Sequence, residues 1–190
     1  MKKLIIVVFV LCSMFAKGQL DFTKGLKVDR KTMLYADSLN RVADSLLALD
    51  STKIDYKKVF ECYKKSSDLG CLVAKYNLAV MYYNGEYVKM DKKKTVQLFE
   101  ELISSDYTEA KYFLAIMYMY GDGIDKDVYL AFELMKEAAN EELEMAQYNL
   151  AEMYLYGYGT EKCKMSAERW LLAAAQNGNV KARELLKDIL

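Results

Sequence analysis

The side chains available for catalysis in this sequence are carboxylates, serines and lysines, because none of its 190 residues is a histidine. Without histidine, neither a Ser-His nor a Cys-His nucleophilic pair can form, and the commonest zinc ligand is missing. The cysteines beyond the N-terminal segment lie far apart and form no CxxC pair, which argues against a structural metal site. The composition therefore predicts no catalytic residue, no metal site and no cofactor.

The loop sequence GDGIDKD places Asp122, Asp125 and Asp127 close together, as a calcium-binding loop would. An EF-hand needs a longer loop and a terminal bidentate glutamate. The related stretches NGEYVKMD and GYGTEKCK do not repeat the carboxylates. We therefore interpret these aspartates as residues that form turns and cap helices.

Two acidic pairs, Glu100–Glu101 and Glu141–Glu142, are the other candidates for acid–base work. Adjacent side chains on a helix point about 100° apart, so these pairs are better explained as parts of solvated faces. The basic run Lys92–Lys94 is interpreted as the solvated start of a helix. The 11 methionines could bind soft metal ions, but several recur at one repeated position, which favours core packing.

The elements that carry these residues repeat along the chain. Ala74, Ala110, Ala146 and Ala182 follow one another at intervals of 36 residues, and the first three begin the segments AKYNLAVMYYNGEY, AKYFLAIMYMYGDG and AQYNLAEMYLYGYG. The stretch after each segment has apolar residues at steps of three and four, which indicates an amphipathic helix. A fixed period of this length predicts stacked units, none of which buries its apolar face alone.

Each unit is predicted to contain a helix A, a glycine-ended turn, a helix B and a short second turn. Glycine ends a helix readily because it adopts positive φ without a clash of Cβ. The glycines assigned to this role are Gly85, Gly121 and Gly157, and Gly123 and Gly159 then let the chain reverse. Asp91 and Asp127 are predicted to cap the N-terminus of helix B.

The N-terminal residues 1–18 are predicted to be an export signal, with Lys2 and Lys3 before an apolar run and a cleavage site before Gln19. The run is shorter than the about 20 residues that span a bilayer, so no stable membrane insertion is expected after cleavage, although an uncleaved tether is the rival interpretation. Residues 19–37 are the lead-in and the start of the first helix. Residues 38–190 form one repeat domain, with a degenerate unit at about 38–73, full units at 74–109, 110–145 and 146–181, and a capping helix at 182–190.

Removal of the signal would take away three lysines and no acid from a chain with 27 basic and 27 acidic residues, leaving a negative charge. This argues against nucleic acid as a partner, because nucleic acid requires a basic face. Export predicts an oxidising compartment for Cys62, Cys71 and Cys163, an odd number. A bridge between Cys62 and Cys71 is not expected, since their Cα atoms would lie beyond about 7 Å, and the thiols are interpreted as small buried fillers.

The pattern A-x-x-x-L-A-x-M-Y-x-x-G-x-G, followed by an aspartate and a second helix, resembles the Sel1-like repeat, a relative of the tetratricopeptide repeat. The best match is the stretch from Ala110, AKYFLAIMYMYGDGIDKDVYLAFELMKEAAN, and the resemblance covers roughly residues 38–190. It implies an all-α fold, a right-handed α–α superhelix (solenoid) of helical hairpins with a 36-residue period. It also implies a scaffold or adaptor that binds proteins or peptides. Two units depart from the pattern: Glu86 and Tyr87 predict a looser turn, and Thr160 and Cys163 replace the expected apolar residue and aspartate.

Helix A has two apolar faces when its residues are projected at about 100° each. One face is the packing face. The other either packs on neighbouring A helices or lines a concave aromatic groove for a partner peptide. This candidate partner-binding stripe consists of Tyr76, Val80, Tyr83, Tyr112, Ile116, Met119, Tyr148, Glu152 and Leu155.

The favoured function is an exported scaffold, periplasmic or extracellular, that binds a protein or peptide through its concave surface without catalysis. One alternative is a hydrolase of cell-wall or antibiotic substrates, which would need a nucleophile–base pair that does not stand out in the sequence. The other alternative is a structural envelope protein that self-associates through the open ends of its solenoid.

Overall fold

The computed structural model describes residues 30–48 and 54–189, and these residues form nine α-helices and no β-strand. The all-α prediction is therefore confirmed. The predicted export signal lies outside the described residues. The helices are α1 (Arg30–Leu47), α2 (Tyr56–Asp68), α3 (Leu72–Asn84), α4 (Lys92–Ile103), α5 (Thr108–Tyr120), α6 (Val128–Asn140), α7 (Glu144–Tyr156), α8 (Lys164–Gln176) and α9 (Val180–Ile189).

The described residues up to Leu78 belong to one compact unit and those from Ala79 onward to a second, so that α3 contributes to both. In the first unit α1 packs against α2. The hydroxyl of Tyr63 on α2 donates a hydrogen bond of 2.6 Å to Asp44 Oδ1, and the Ser66 hydroxyl donates one of 2.6 Å to the carbonyl oxygen of Ala36. These buried polar groups are thus paired across the hairpin, which avoids the cost of an unsatisfied donor.

In the second unit each helix from α4 to α8 packs against the next one along the chain. The residues at the repeated contact positions are small: Ala110, Ala146 and Ala182 on the A helices are fully buried, as are Thr95, Ala131 and Ala167 on the B helices. Small side chains let the helices approach closely, and larger ones such as Met135, Leu150 and Met153 fill the space between them. The core therefore follows the 36-residue period.

The turn between helix A and helix B has one geometry in three successive repeats. Gly121 and Gly157 follow their helices with φ of 70° and 76°. The amide of the residue after each glycine donates a hydrogen bond to the carbonyl oxygen of Met117 or Met153. This is a Schellman-type end, which satisfies carbonyl groups that the helix leaves unpaired. A second bond, from the amide of Asp91, Asp127 or Cys163 to the carbonyl of Tyr82, Tyr118 or Tyr154, closes each turn at 2.9 to 3.0 Å.

The turn after α3, predicted to be looser, has the same closing hydrogen bonds as the others, so that prediction is wrong. Tyr87 occupies the position of Gly123 and Gly159, and it adopts their left-handed conformation, with φ of 65° against 79° and 66°. A non-glycine residue pays a steric cost there. The turn keeps its shape because the hydrogen bonds on either side fix it.

The aspartates predicted to cap helix B do so. Asp91 Oδ1 accepts a hydrogen bond of 2.9 Å from the amide of Lys94, and Asp127 Oδ1 accepts bonds of 3.0 Å from Tyr129 and Leu130. Cys163 stands at the same position of α8, with nearly the same backbone angles as Asp127, but its side chain makes no such bond.

The second glycine of the two later turns, Gly123 or Gly159, lies against helix B of the preceding repeat. A Cβ placed on Gly159 would lie 2.8 Å from the carbonyl carbon of Val128, closer still to its oxygen, and 2.9 Å from Phe132 Cβ. The contact involves backbone, which cannot move aside as a flexible side chain can. Gly159 is therefore required both by its φ and by the approach of two repeats.

Cys62, Cys71 and Cys163 form no disulfide within the described residues, and each is half-buried. The prediction that these cysteines are buried is therefore wrong, because each of them is only half-buried. In the part of the chain that the structure describes, we find no helix with the length and apolarity needed to cross a bilayer.

Candidate functional site

The residues of the predicted partner-binding stripe are all half-buried and lie on the A helices α3, α5 and α7. Tyr76 belongs to the first compact unit and the other eight to the second. Six of these eight residues lie in three surroundings: a groove between α5 and α7, a packing surface beneath α9, and a polar contact between two turns.

The groove between α5 and α7, which we call the α5–α7 groove, has a volume of about 260 Å³. Three of the predicted residues line it, namely Ile116, Met119 and Glu152. Further lining residues, which sequence reasoning did not place there, are Tyr120 at the end of α5, Asn149 and Tyr156 on α7, and Tyr158 in the following turn. The groove is thus lined by aromatic and aliphatic side chains together with polar groups, and it is about as polar as it is apolar.

The tyrosines of the groove are more exposed than the predicted stripe. Tyr120 is 71% exposed, and Tyr156 and Tyr158 are each 52% exposed. The rings of Tyr156 and Tyr158 lie 5.9 Å apart at an interplanar angle of 44°. A signal for two of them exists in the sequence: Tyr120 and Tyr156 are one period apart, each directly before the glycine that ends helix A. The second repeat hides this signal because Asn84 stands at the corresponding position.

The polar groups of the α5–α7 groove are joined to the neighbouring half-buried tyrosines. The Tyr148 hydroxyl donates a hydrogen bond of 3.0 Å to Glu152 Oε1, and the Asn149 side-chain amide donates one of 3.2 Å to the Tyr112 hydroxyl. Burial, followed by the hydrogen bond to Glu152, raises the pKa of Tyr148 to about 12. Burial likewise raises the pKa of Tyr112. At neutral pH both phenols are protonated and serve as hydrogen-bonding groups, not as bases or nucleophiles.

The packing surface beneath α9 holds Tyr148 and Leu155. Both side chains pack against a buried cluster that includes Leu171, Ala174 and Ala182, and Leu185 of α9 packs against the same cluster. For Tyr148 and Leu155, the structure therefore supports packing between helices, which was one of the two explanations offered for the stripe. Tyr112 and Tyr148 also border a shallower depression of about 420 Å³ that reaches Val180 and Lys181.

Tyr83 takes part in a polar contact between successive turns. Its hydroxyl donates a hydrogen bond of 2.6 Å to Asp122 Oδ2, and the Lys92 ammonium pairs with the other oxygen of that carboxylate. The Lys92 nitrogen also lies 5.2 Å from the centroid of the Tyr83 ring. The hydrogen bonds from Lys92 and then from Tyr83 hold the pKa of Asp122 below its usual range. Asp122 therefore connects repeats, which the sequence did not predict, whereas Asp127 has the capping role assigned to it.

A second ion pair, within one repeat, was not visible in the sequence. Lys111 on α5 is only 6% exposed, and its ammonium pairs with Glu141 just after α6 and lies 3.5 Å from Glu137 Oε2. The Thr108 hydroxyl donates a further hydrogen bond of 2.6 Å to Glu141. These two donors, Lys111 first, lower the pKa of Glu141. Glu141, which was assigned to a solvated face, thus pairs with helix A of its own repeat.

Among the described residues, no group of three or more cysteine and carboxylate side chains could hold a metal ion.

The family model of the Sel1 repeat matches residues 36–71, 72–107, 108–142 and 144–179, which is well over half of the chain. The chain belongs to the Sel1 repeat family. The helices of the structure agree with this assignment, because each matched segment contains an A helix and a B helix. Sel1 repeat proteins typically mediate protein–protein interactions, and the family is one of scaffolds that are generally not enzymes.

Solved structures support the same fold. A Sel1 repeat protein from Oxalobacter formigenes is 23% identical, and the match covers 94% of this chain and 73% of that one, with a TM-score of 0.75. A protective antigen present in uropathogenic Escherichia coli strains is 22% identical, and the match covers 84% of this chain but 33% of the antigen, with a TM-score of 0.72.

An immunity protein from Pseudomonas aeruginosa is 23% identical, and the match covers 82% of this chain and 56% of that one, with a TM-score of 0.59. At these identities the three structures establish the solenoid fold alone. No curated protein matches the sequence.

Proposed function

We propose that this Sel1 repeat protein is an exported scaffold that binds a protein or peptide partner, without catalysis, through the surface formed by its A helices. The observation that carries the proposal is the α5–α7 groove, which is lined by Tyr120, Tyr156 and Tyr158 together with Ile116 and Met119. Tyrosine supplies a large contact area with few rotatable bonds and a polar tip, and it is enriched at the residues that dominate binding energy.

Helix packing explains some of the stripe, but it does not explain the tyrosines of the groove. Tyr148 and Leu155 pack beneath α9 and would be retained in a solenoid that bound nothing. Tyr120, by contrast, keeps 71% of its surface exposed and so adds little to the core. Exposed aromatic side chains clustered around a groove are typical of an interaction site.

The absence of catalysis is supported by the chemistry of the same groove. Glu152 is the acidic side chain that lines it, and the nearby phenols of Tyr112 and Tyr148 have raised pKa values. A hydrolase would need a nucleophile activated by an adjacent base, and these groups do not supply one at neutral pH. A turnover assay with cell-wall and antibiotic substrates tests this part of the proposal, and any activity lost in Glu152→Gln would contradict it.

Export is supported by the sequence of residues 1–18 and places the partner in the periplasm or outside the cell. The N-terminal residue of the protein purified from the envelope fraction tests this part. Cleavage before Gln19 is expected, and a chain that stays in the cytoplasm would contradict it.

The binding test compares two variants in a pull-down from the envelope fraction, with the captured protein identified and then purified. Tyr120→Ala combined with Tyr156→Ala is expected to abolish capture, whereas the control Tyr129→Ala is expected to retain it. Tyr129 is a suitable control because it is 73% exposed on α6, outside the groove. Equal capture by both variants would contradict the proposal.

A further inference from the structure

The α5–α7 groove contains one charged group among its described lining residues, the carboxylate of Glu152. Its Oε1 accepts the hydrogen bond from the Tyr148 hydroxyl, and among the described residues no lysine or arginine forms an ion pair with this carboxylate. A half-buried carboxylate such as Glu152 is stabilised by a cation more than one on an open surface, because the surroundings screen less. The groove therefore carries one acidic side chain that forms no ion pair within the described residues.

The aromatic lining suits the same kind of ligand. The face of a tyrosine ring attracts a cation within about 6 Å of its centroid, and the attraction grows when water is excluded. Tyr156 and Tyr158, with ring centroids 5.9 Å apart, and Tyr120 line the same groove as this carboxylate. Ile116 and Met119 offer an apolar surface for an aliphatic stem.

We propose that the segment recognised by this groove inserts an arginine side chain, whose guanidinium pairs with Glu152 and stacks on the tyrosines. This inference rests on the proposed function, since it names the chemistry of the partner at that site. Arginine fits better than lysine because a guanidinium is planar, stacks on aromatic rings and is weakly hydrated, whereas an ammonium is a compact and strongly hydrated charge. The guanidinium donates hydrogen bonds to Oε2, and Oε1 keeps its bond from Tyr148.

The test uses blocked pentapeptides with a central arginine, citrulline or lysine between pairs of glycines. Binding to the ¹⁵N-labelled protein is followed by NMR through the side-chain amide of Asn149, which lines the groove. The arginine peptide is expected to give a saturable shift. Citrulline has nearly the same shape but no charge, and it is expected to bind at least about fivefold more weakly. An arginine peptide that gives no saturable shift, or a citrulline or lysine peptide that binds as tightly, would overturn the inference.

Glu152→Gln provides the matched change on the protein, because the amide oxygen can still accept the Tyr148 hydrogen bond while the charge is lost. It is expected to weaken the arginine peptide by about fivefold and to leave the citrulline peptide unchanged, and Tyr129→Ala is expected to alter neither. A Glu152→Gln variant that binds the arginine peptide normally would overturn the inference.

The same variants separate this inference from the proposed function. If the natural partner is lost with the paired Tyr120 and Tyr156 alanine substitutions but retained with Glu152→Gln, the scaffold function stands and the arginine assignment is wrong. If neither change affects the partner, the groove is not the binding site and both proposals are wrong. Loss of the partner with both changes supports both.

Discussion

Replacing Gly159 with alanine tests whether the turn of one repeat is packed against helix B of the repeat before it. The change costs stability in two ways. Alanine at φ of 66° is strained relative to glycine by about 1 kcal/mol. The added methyl group would also overlap the Val128 carbonyl and approach Phe132 Cβ to 2.9 Å, which forces the repeats apart.

The size of the second cost follows from the nature of the contact. Extra atoms in a well-packed site typically cost about 1–3 kcal/mol, and here the obstacle is backbone, so the upper part of that range applies. The total loss is therefore about 3–4 kcal/mol, a large part of the about 5–15 kcal/mol that holds a domain folded. With a urea dependence of about 2 kcal/mol per M, the unfolding midpoint should fall by roughly 1.5–2 M.

Gly178→Ala is the matched control for this experiment. Gly178 has φ of 104°, which is also left-handed, but no atom lies within 4 Å of an added Cβ. Alanine there pays for backbone strain alone, about 1 kcal/mol. Urea unfolding followed by circular dichroism should show that Gly159→Ala loses at least 1 kcal/mol more than Gly178→Ala. Equal losses would refute the packing of the turn on the preceding repeat.

Three further changes are expected to alter stability in a stated direction. Tyr87→Gly should raise the free energy of unfolding by about 1 kcal/mol, because φ of 65° is strained for tyrosine, and a loss measured by urea unfolding would contradict this. Cys163→Asp should stabilise α8 by about 1 kcal/mol, as measured by thermal unfolding, because an aspartate there can accept the amide bonds that Asp127 accepts, and Cys163→Ala serves as the control. The advantage of the wild type over Asp122→Asn should be full at neutral pH and should shrink as the pH falls below 3.8. Because the pKa of Asp122 is lowered in the folded protein, its contribution to stability is lost as the pH falls from 3.8 through this lowered pKa. A stability advantage that does not change between pH 7 and pH 2 would contradict the role of its ion pair.

The period of the sequence predicted the helices, the glycine ends and the aspartate caps, because each of these depends on residues within one repeat. The contacts between residues distant in sequence were not predictable in the same way. Tyr83 and Asp122 are 39 positions apart and meet only when two units are stacked. Lys111 and Glu141 are 30 positions apart and meet only when the two helices of one unit pack together. A helical projection gives the direction of a side chain but not which neighbour lies in that direction.

The candidate site was predicted in part for the same reason. Ile116, Met119 and Glu152 were selected by their direction on helix A, and the structure brings them into one groove. The projection started from the second repeat, where Asn84 replaces the tyrosine, so Tyr120 and Tyr156 were missed. Tyr158 belongs to a turn, which a helical projection does not describe.

Binding of a partner at the α5–α7 groove is tested most directly by a photo-crosslinking amino acid placed at position 120 in the living cell, with position 129 as the control. Both native tyrosines are highly exposed, at 71% and 73%, but only Tyr120 lines the α5–α7 groove. Irradiation is expected to link one defined envelope protein to position 120 and to leave position 129 unlinked. Crosslinks from position 129 alone, or the same products from both positions, would contradict binding at this groove.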